Sequence, residues 1–298
     1  MLFRSGYVRS ESARQLRAGE SRMIAMLVLD MANPFFVEVA GGAERAAREA
    51  GLRVMLCNSA QDPVEEADYL ALFAEQRVRG VLVTPADPTG RSLAVLQRSG
   101  IPYVLVDRAT AVLDGCSVSV DDVAGGRMAA EHLLAVGHRS FTYVSGPMRL
   151  AQCRDRRTGA LAALAEHGVP EDAMTHIETE QMDVAGGRDA GHRLLGLSHR
   201  PTAVFCANDL LALGLLQTLY AVGVPVPEEM AIVGYDDIEY ARAAAVPLTS
   251  VRQPSTEMGR TALTLLLEES GSNAERHAHQ RVVLRPELVV RQSTAAPA

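Results

Sequence analysis

From Met23 onward, short apolar runs alternate with stretches whose apolar residues recur at helical spacing. The runs MIAMLVL (23–29), RVMLC (53–57), GVLVT (80–84) and YVLV (103–106) are nearly unbroken in apolar residues, as strands buried on both faces of a parallel sheet are. Between the first two, Phe36, Ala40, Ala43, Ala47 and Ala50 share one face of a helix that Gly51 stops. Gly80 and Gly100 likewise precede strands, so the chain reads as repeated strand, helix, glycine, strand units forming one open parallel sheet. The pattern restarts with FTYVS (141–145), a helix over 155–167, TAVFC (202–206), a helix over 209–222 and AIVGY (231–235), which predicts a second sheet of the same kind. TSVRQP (249–254), an apolar helix around Met258 to Leu267 and RVVLRPELVVR (281–291) are too few for a third domain and are expected to complete the two lobes.

Composition supports this division. A chain of 298 residues exceeds the size at which one core usually splits. With 48% apolar and 22% charged residues and a mean hydropathy of +0.04, it is expected to fold, and no apolar run is long enough to span a bilayer. Residues 1–22 lack the apolar centre of a secretory signal, which points to the cytoplasm. The net charge is −7, yet Arg4, Arg9, Arg14, Arg17 and Arg22 outnumber Glu11 and Glu20 at the amino end. That asymmetry suits a polyanion contact or a solvated tail.

Several chemistries find no support. Cys57, Cys116, Cys153 and Cys206 form no C-x-x-C pair and read as reduced core thiols. His277 and His279 flank Ala278 in a polar stretch and read as loop residues, so no metal is expected. Gly41-Gly42 reads as a place of close packing, because no G-x-G-x-x-G follows a strand and, without lysine, no phosphate loop can form. No catalytic residue and no cofactor is nominated.

In open α/β sheets ligands bind beyond the carboxyl ends of the strands. There stand Asp30 and Asn33-Pro34-Phe35-Phe36, then Asp107-Arg108, Asn208-Asp209, Asp236-Asp237 and Gln253. Carboxylates, amides and an arginine fork suit hydroxyl groups, and an aromatic face suits the C–H side of a sugar. Asp209 and Asp237 read instead as helix N-caps, and Asn33 as cap or ligand beside a first-turn proline. Phe35 and Phe36 point about 100° apart on a helix, which leaves one to line a cleft.

Read in order, ANPFF (32–36), GVLVTP (80–85), PYVLVDR (102–108), VSVDDVAGGRMAAEHLLAVGHR (118–139), PTAVFCANDLLALG (201–214), IVGYDD (232–237) and VRQP (251–254) resemble the LacI family of repressors across nearly the whole chain. The resemblance implies two periplasmic-binding-protein-like type I lobes linked by three crossovers. Residues 22–120 plus 252–280 would form the N-terminal lobe and 121–251 plus 281–293 the C-terminal lobe, with 294–298 as a tail. It further implies a homodimer and an effector between the lobes that controls DNA binding. The ribose-binding branch carries matches at Asn33, Phe35, Phe36, Asp107, Arg108, Arg156, Asn208, Asp236 and Gln253, so a small monosaccharide, possibly ribose, is the expected effector. At Met182 that branch often has an aromatic residue.

GYVRSESARQLRAG (6–19) is similar to the family's hinge, with residues 1–21 read as hinge plus a remnant of the DNA-binding head. By that resemblance Leu16 would wedge between base steps of the minor groove, and Arg14 and Arg17 would meet the backbone or the groove. MLFRSGYVR is too short for the helix-turn-helix head on which operator recognition depends. The competing classes are a sugar-binding transport receptor of the same fold, which would need a signal peptide, and a sugar-processing enzyme, which would need a positioned acid–base pair.

Overall fold

The computed structural model of the chain describes residues 21–87, 89–108, 115–270 and 277–294. β1 (Met23–Val28), β2 (Arg53–Asn58), β3 (Gly80–Val83), β4 (Tyr103–Val106), β5 (Cys116–Val120) and β11 (Arg281–Leu284) form one parallel sheet in the order β11-β5-β4-β3-β1-β2. The second sheet contains β6 (Phe141–Ser145), β7 (Met174–Glu178), β8 (Ala203–Cys206), β9 (Ala231–Asp236), β10 (Thr249–Arg252) and β12 (Glu287–Val289), in the order β12-β10-β9-β8-β6-β7. Only β12 runs antiparallel to its neighbour there. These are the two α/β lobes of a periplasmic-binding-protein-like fold.

Among the described residues the chain passes between the sheets three times: at Asp121, at Gln253-Pro254 and at Arg285-Pro286. The last crossing corrects the expected boundaries. Residues 281–284 pair with β5 in the first sheet rather than joining the second lobe, and the apolar run 281–291 is broken by Pro286, which has no N–H to continue a ladder. Central β1 is buried along Ile24 to Val28, whereas β2 is an edge strand and only half-buried.

Local sequence starts the helices. α1 (Pro34–Glu49) and α2 (Pro63–Glu75) each place proline in the first turn, behind Asn33 and Asp62, whose side chains accept from Phe35 N and Val64 N. No helix among the described residues is long and apolar enough to cross a membrane.

Three helix pairs cover the sheets: α1 on α9 (Ser255–Glu269), α4 (Asp122–Ala135) on α5 (Ala151–Glu166), and α6 (Val184–Leu195) on α7 (Asp209–Ala221). Each pair meets backbone to backbone at mutual glycines. A Cβ on Gly42 would strike Thr256 O and one on Gly259 would strike Val39 O. Gly126 faces Arg156 O and Gly159 faces Val123 O; Gly187 faces Leu211 O and Gly214 faces Val184 O. The tetrapeptide Val-Ala-Gly-Gly recurs at 39–42, 123–126 and 184–187, and its second glycine makes the contact each time. The expected close packing at Gly41-Gly42 therefore holds for Gly42, as one case of a threefold pattern.

Gly259→Ala is expected to cost about 1–3 kcal/mol through overpacking against backbone that cannot yield, read as a lower urea midpoint at unchanged slope. Gly41→Ala is the contrast: its Cβ would meet only the end of Arg45 at 3.5 Å. That variant should be neutral or up to about 1 kcal/mol more stable through better helix propensity.

Candidate functional site

Parallel strands gather their carboxyl ends on one side of each lobe, and there the two lobes touch. Asn33 Nδ2, at the start of α1, donates to Asp236 Oδ2 at 2.9 Å, and Gln253 Nε2, in the second crossover, donates to Asp236 Oδ1 at 2.7 Å. Asn33 is thus both cap and cleft residue, since its Oδ1 also accepts from Phe35 N at 3.0 Å. Asp236 ends β9 at φ 105 and Asp107 follows β4 at φ 56. Backbone in this region is costly for residues other than glycine and collects at functional sites.

Leu29, Asp30, Asn33, Phe36 and Gln61 from the first lobe face Leu150, Gln152, Met182 and Asn208 from the second across a cavity of about 20 Å³. That is room for about one water, so a larger ligand requires the lobes or their side chains to part. A second, open hollow of about 500 Å³ reaches Asp236 and Gln253 from the crossover side. A third, of about 650 Å³, runs beside β7 and α6 and touches none of the expected site residues.

Both phenylalanines are buried, and only Phe36 lines the cavity. Phe35 stands behind it, ring centroids 5.0 Å apart in an edge-on pair. Met182 opposes Phe36 with its sulfur 3.4 Å from Cys153 Sγ. Asn208 Oδ1 caps α7 by accepting from Leu211 N at 2.9 Å, and its Nδ2 donates to Met182 O at 2.8 Å.

Arg156 is fixed within the second lobe: its Nε donates to Asp122 Oδ1 at 2.8 Å, its Nη1 to Ala207 O at 2.5 Å, and its guanidinium lies 3.6 Å from the Tyr235 ring centre. Burial opposes its charge, but the acids around it, Asp122 foremost, hold it more firmly protonated than usual. Arg108 Nη1 donates to Asp87 O at 3.3 Å, beside the neighbouring strand end.

Burial pushes the Asp107 carboxyl well above the usual range; Asp122 and Asp236 add to this and Arg156 opposes it. Burial also lifts Asp236 to about 6, against the pull of Arg156 and the bonds from Asn33 and Gln253. Asp107 Oδ1 and Gln253 Oε1 are buried with no hydrogen-bond partner among the described residues.

Two expected caps are not caps. Asp209 is buried and accepts from Ser250 Oγ at 2.7 Å and Ile238 N at 2.9 Å, because Asn208 already occupies the capping position. Asp237 is buried between Arg252 and Arg291, whose nitrogens lie 2.7 and 2.5 Å from its carboxylate, while Ile238 stands at the cap of α8 (Glu239–Arg242). The expected hinge contacts Arg14, Leu16 and Arg17 lie outside the described residues. Gln61, Leu150 and Gln152 were missed. Gln61 follows β2, so the strand-end rule applied to that strand finds it, whereas Leu150 and Gln152 sit beyond the longer loop after β6.

A periplasmic binding protein-like domain model matches residues 130–294. The HTH-type transcriptional repressor PurR of Photobacterium profundum is 34% identical over 96% of this chain and 85% of its own length. The HTH-type transcriptional regulator DegA of Bacillus subtilis is 33% identical over 97% and 86%. Among solved structures, a LacI family transcriptional regulator from Enterococcus faecium with bound ribose superposes with a TM-score of 0.84 at 29% identity, covering 92% of this chain and 99% of that one. Sequence, fold and the cleft between the lobes agree, and the chain belongs to the LacI family of transcriptional regulators.

Proposed function

We propose that this regulator takes a small neutral monosaccharide, a pentose by preference, into the cleft between its lobes, and that occupancy sets the DNA affinity of a homodimer in the cytoplasm without chemical change to the sugar. The observation that carries the reading is a pair of buried oxygens, Asp107 Oδ1 and Gln253 Oε1, with no hydrogen-bond partner among the described residues; Gln253 bonds Asp236, and Asp236 acts electrostatically on Asp107. Buried acceptors without donors suit a ligand rich in hydroxyls. Phe36 offers a flat apolar face to the ring, and the flexible Met182 opposite adapts to its shape. The ribose held by the Enterococcus relative supports the same class.

Regulation follows if the sugar binds one lobe arrangement better than the other, since it then shifts their populations and the separation of the two hinges in the dimer. Arg14, Leu16 and Arg17 would meet the operator through the hinge, while base-specific readout belongs to the family's head.

Thermal-shift screening of pentoses, hexoses, purines and amino acids should find stabilisation by a pentose; stabilisation only by a purine or an amino acid would remove this reading. Asp236→Asn, which keeps the shape and loses the charge, should weaken the sugar about ten- to a hundredfold, the cost of a hydrogen bond to a charged group.

Proton linkage gives a second expectation. Hydroxyl donors favour the ionised carboxylate, so sugar and proton compete for Asp236, whose pKa near 6 in the free protein the sugar would lower. The contribution of Asp236 to affinity should be lost as pH drops through about 6, so binding weakens on acidification. Titration calorimetry in buffers of differing ionisation heat checks this; affinity that rises on acidification contradicts it.

Sedimentation at micromolar concentration should return twice the chain mass. A monomer would separate the chain from two-fold operator recognition.

A further inference from the structure

Away from the cleft, at the amino-terminal ends of the first sheet's strands, four side chains distant in sequence converge. Cys116 opens β5, Glu269 ends α9, and His277 and His279 lead into β11. Their ligand atoms all lie within 4.8 Å of one another. Cys116 Sγ is 3.1 Å from His277 Nε2, His279 Nδ1 is 3.1 Å from Glu269 Oε1, and His277 Nε2 is 3.9 Å from the same oxygen.

We propose that Cys116, Glu269, His277 and His279 form a binding site for a divalent transition cation of the zinc class. Metal–sulfur bonds of about 2.3 Å and metal–nitrogen or –oxygen bonds of about 2.0 Å place tetrahedral ligands roughly 3.3–3.6 Å apart, and the observed separations bracket that range. One thiolate, two imidazoles and one carboxylate form a set that selects zinc-like ions over magnesium or calcium. With one thiolate and one carboxylate the site balances the cation's charge; the thiol proton leaves to solvent on binding.

The surroundings are those of a ligand set as well. His277 turns its other ring nitrogen, Nδ1, toward Glu268 at 3.8 Å, longer than a hydrogen bond but on the side from which a carboxylate orients a ligating imidazole. Gln280 N donates to Cys116 Sγ at 3.2 Å, a bond that a thiolate accepts better than a thiol. Cys116 is fully buried and the Glu269 and His277 side chains are 8% exposed, while His279, at 44%, leaves a path for entry.

The sequence reading of His277 and His279 as plain loop residues misses this site because Cys116 lies more than 150 residues away. A bound cation would tie α9, β5 and the start of β11 together at the end of the lobe where β1 also begins. It would therefore stabilise the first lobe without entering the sugar cleft.

The test uses the full chain, stripped with chelator and titrated with cobalt(II) as a spectroscopic stand-in for zinc. One equivalent should bind with intense visible bands of tetrahedral cobalt and a sulfur-to-cobalt charge-transfer band, and zinc should displace it and raise the melting temperature where magnesium does not. Cys116→Ser should abolish the charge-transfer band. His279→Ala, at the exposed ligand, should weaken binding at least tenfold even if the cysteine variant folds poorly, and Glu268→Gln should weaken it about ten- to a hundredfold. Absence of saturable one-to-one binding, or cobalt spectra and affinity unchanged in His279→Ala, would overturn the site.

Discussion

The Asp236 carboxylate is the point on which the arrangement of the lobes turns. It is buried, it ends a strand of the second lobe, and its two oxygens are held by Asn33 of the first lobe and by Gln253 of a crossover. A buried carboxylate needs partners: Gln253 follows Arg252, the register partner of Asp236 within the second sheet, whereas Asn33 reaches it only while the lobes are drawn together. The backbone at φ 105 aims the side chain at them, so local strain serves a contact between elements far apart in sequence.

Closure has opposing contributions at this contact. Burial raises the pKa of Asp236 to about 6 and lifts that of Asp107 well above the usual carboxylate range, because the closed arrangement solvates charge poorly. A ligand hydroxyl donating to these groups would relieve part of that cost only with both lobes around it, and such a ligand would thereby favour the closed arrangement, as a shift of population requires.

Much of the fold was legible because central strands of a parallel sheet are apolar throughout and helices between them end at glycine. The strands that escaped are those whose pattern differs. β5 reads CSVSV, with serines where a central strand usually carries apolar residues, and β7 reads MTHIE, an edge strand with polar residues turned outward. The contact between the lobes was legible because its residues stand at or just beyond strand ends, as at Asn33, Asp236 and Gln253. Asp209 and Asp237 were misread because a carboxylate at a strand end has two common roles, and which one it takes depends on partners such as Ser250, Arg252 and Arg291 that arrive from elsewhere in the chain.

The glycine contacts determine where motion can occur. Helix pairs that meet backbone to backbone have no compliant side chains between them, so each lobe resists internal shear and relative movement is left to the three crossovers. Two of these are wired to the cleft. Gln253 lies in one and bonds Asp236 directly; Asp121 is another, and the next residue, Asp122, holds Arg156 over Tyr235, one residue before Asp236. A ligand that bonded Asp236 would therefore act on a group already joined to the crossovers, and no long chain of intermediates would be required to turn occupancy into a change of lobe angle.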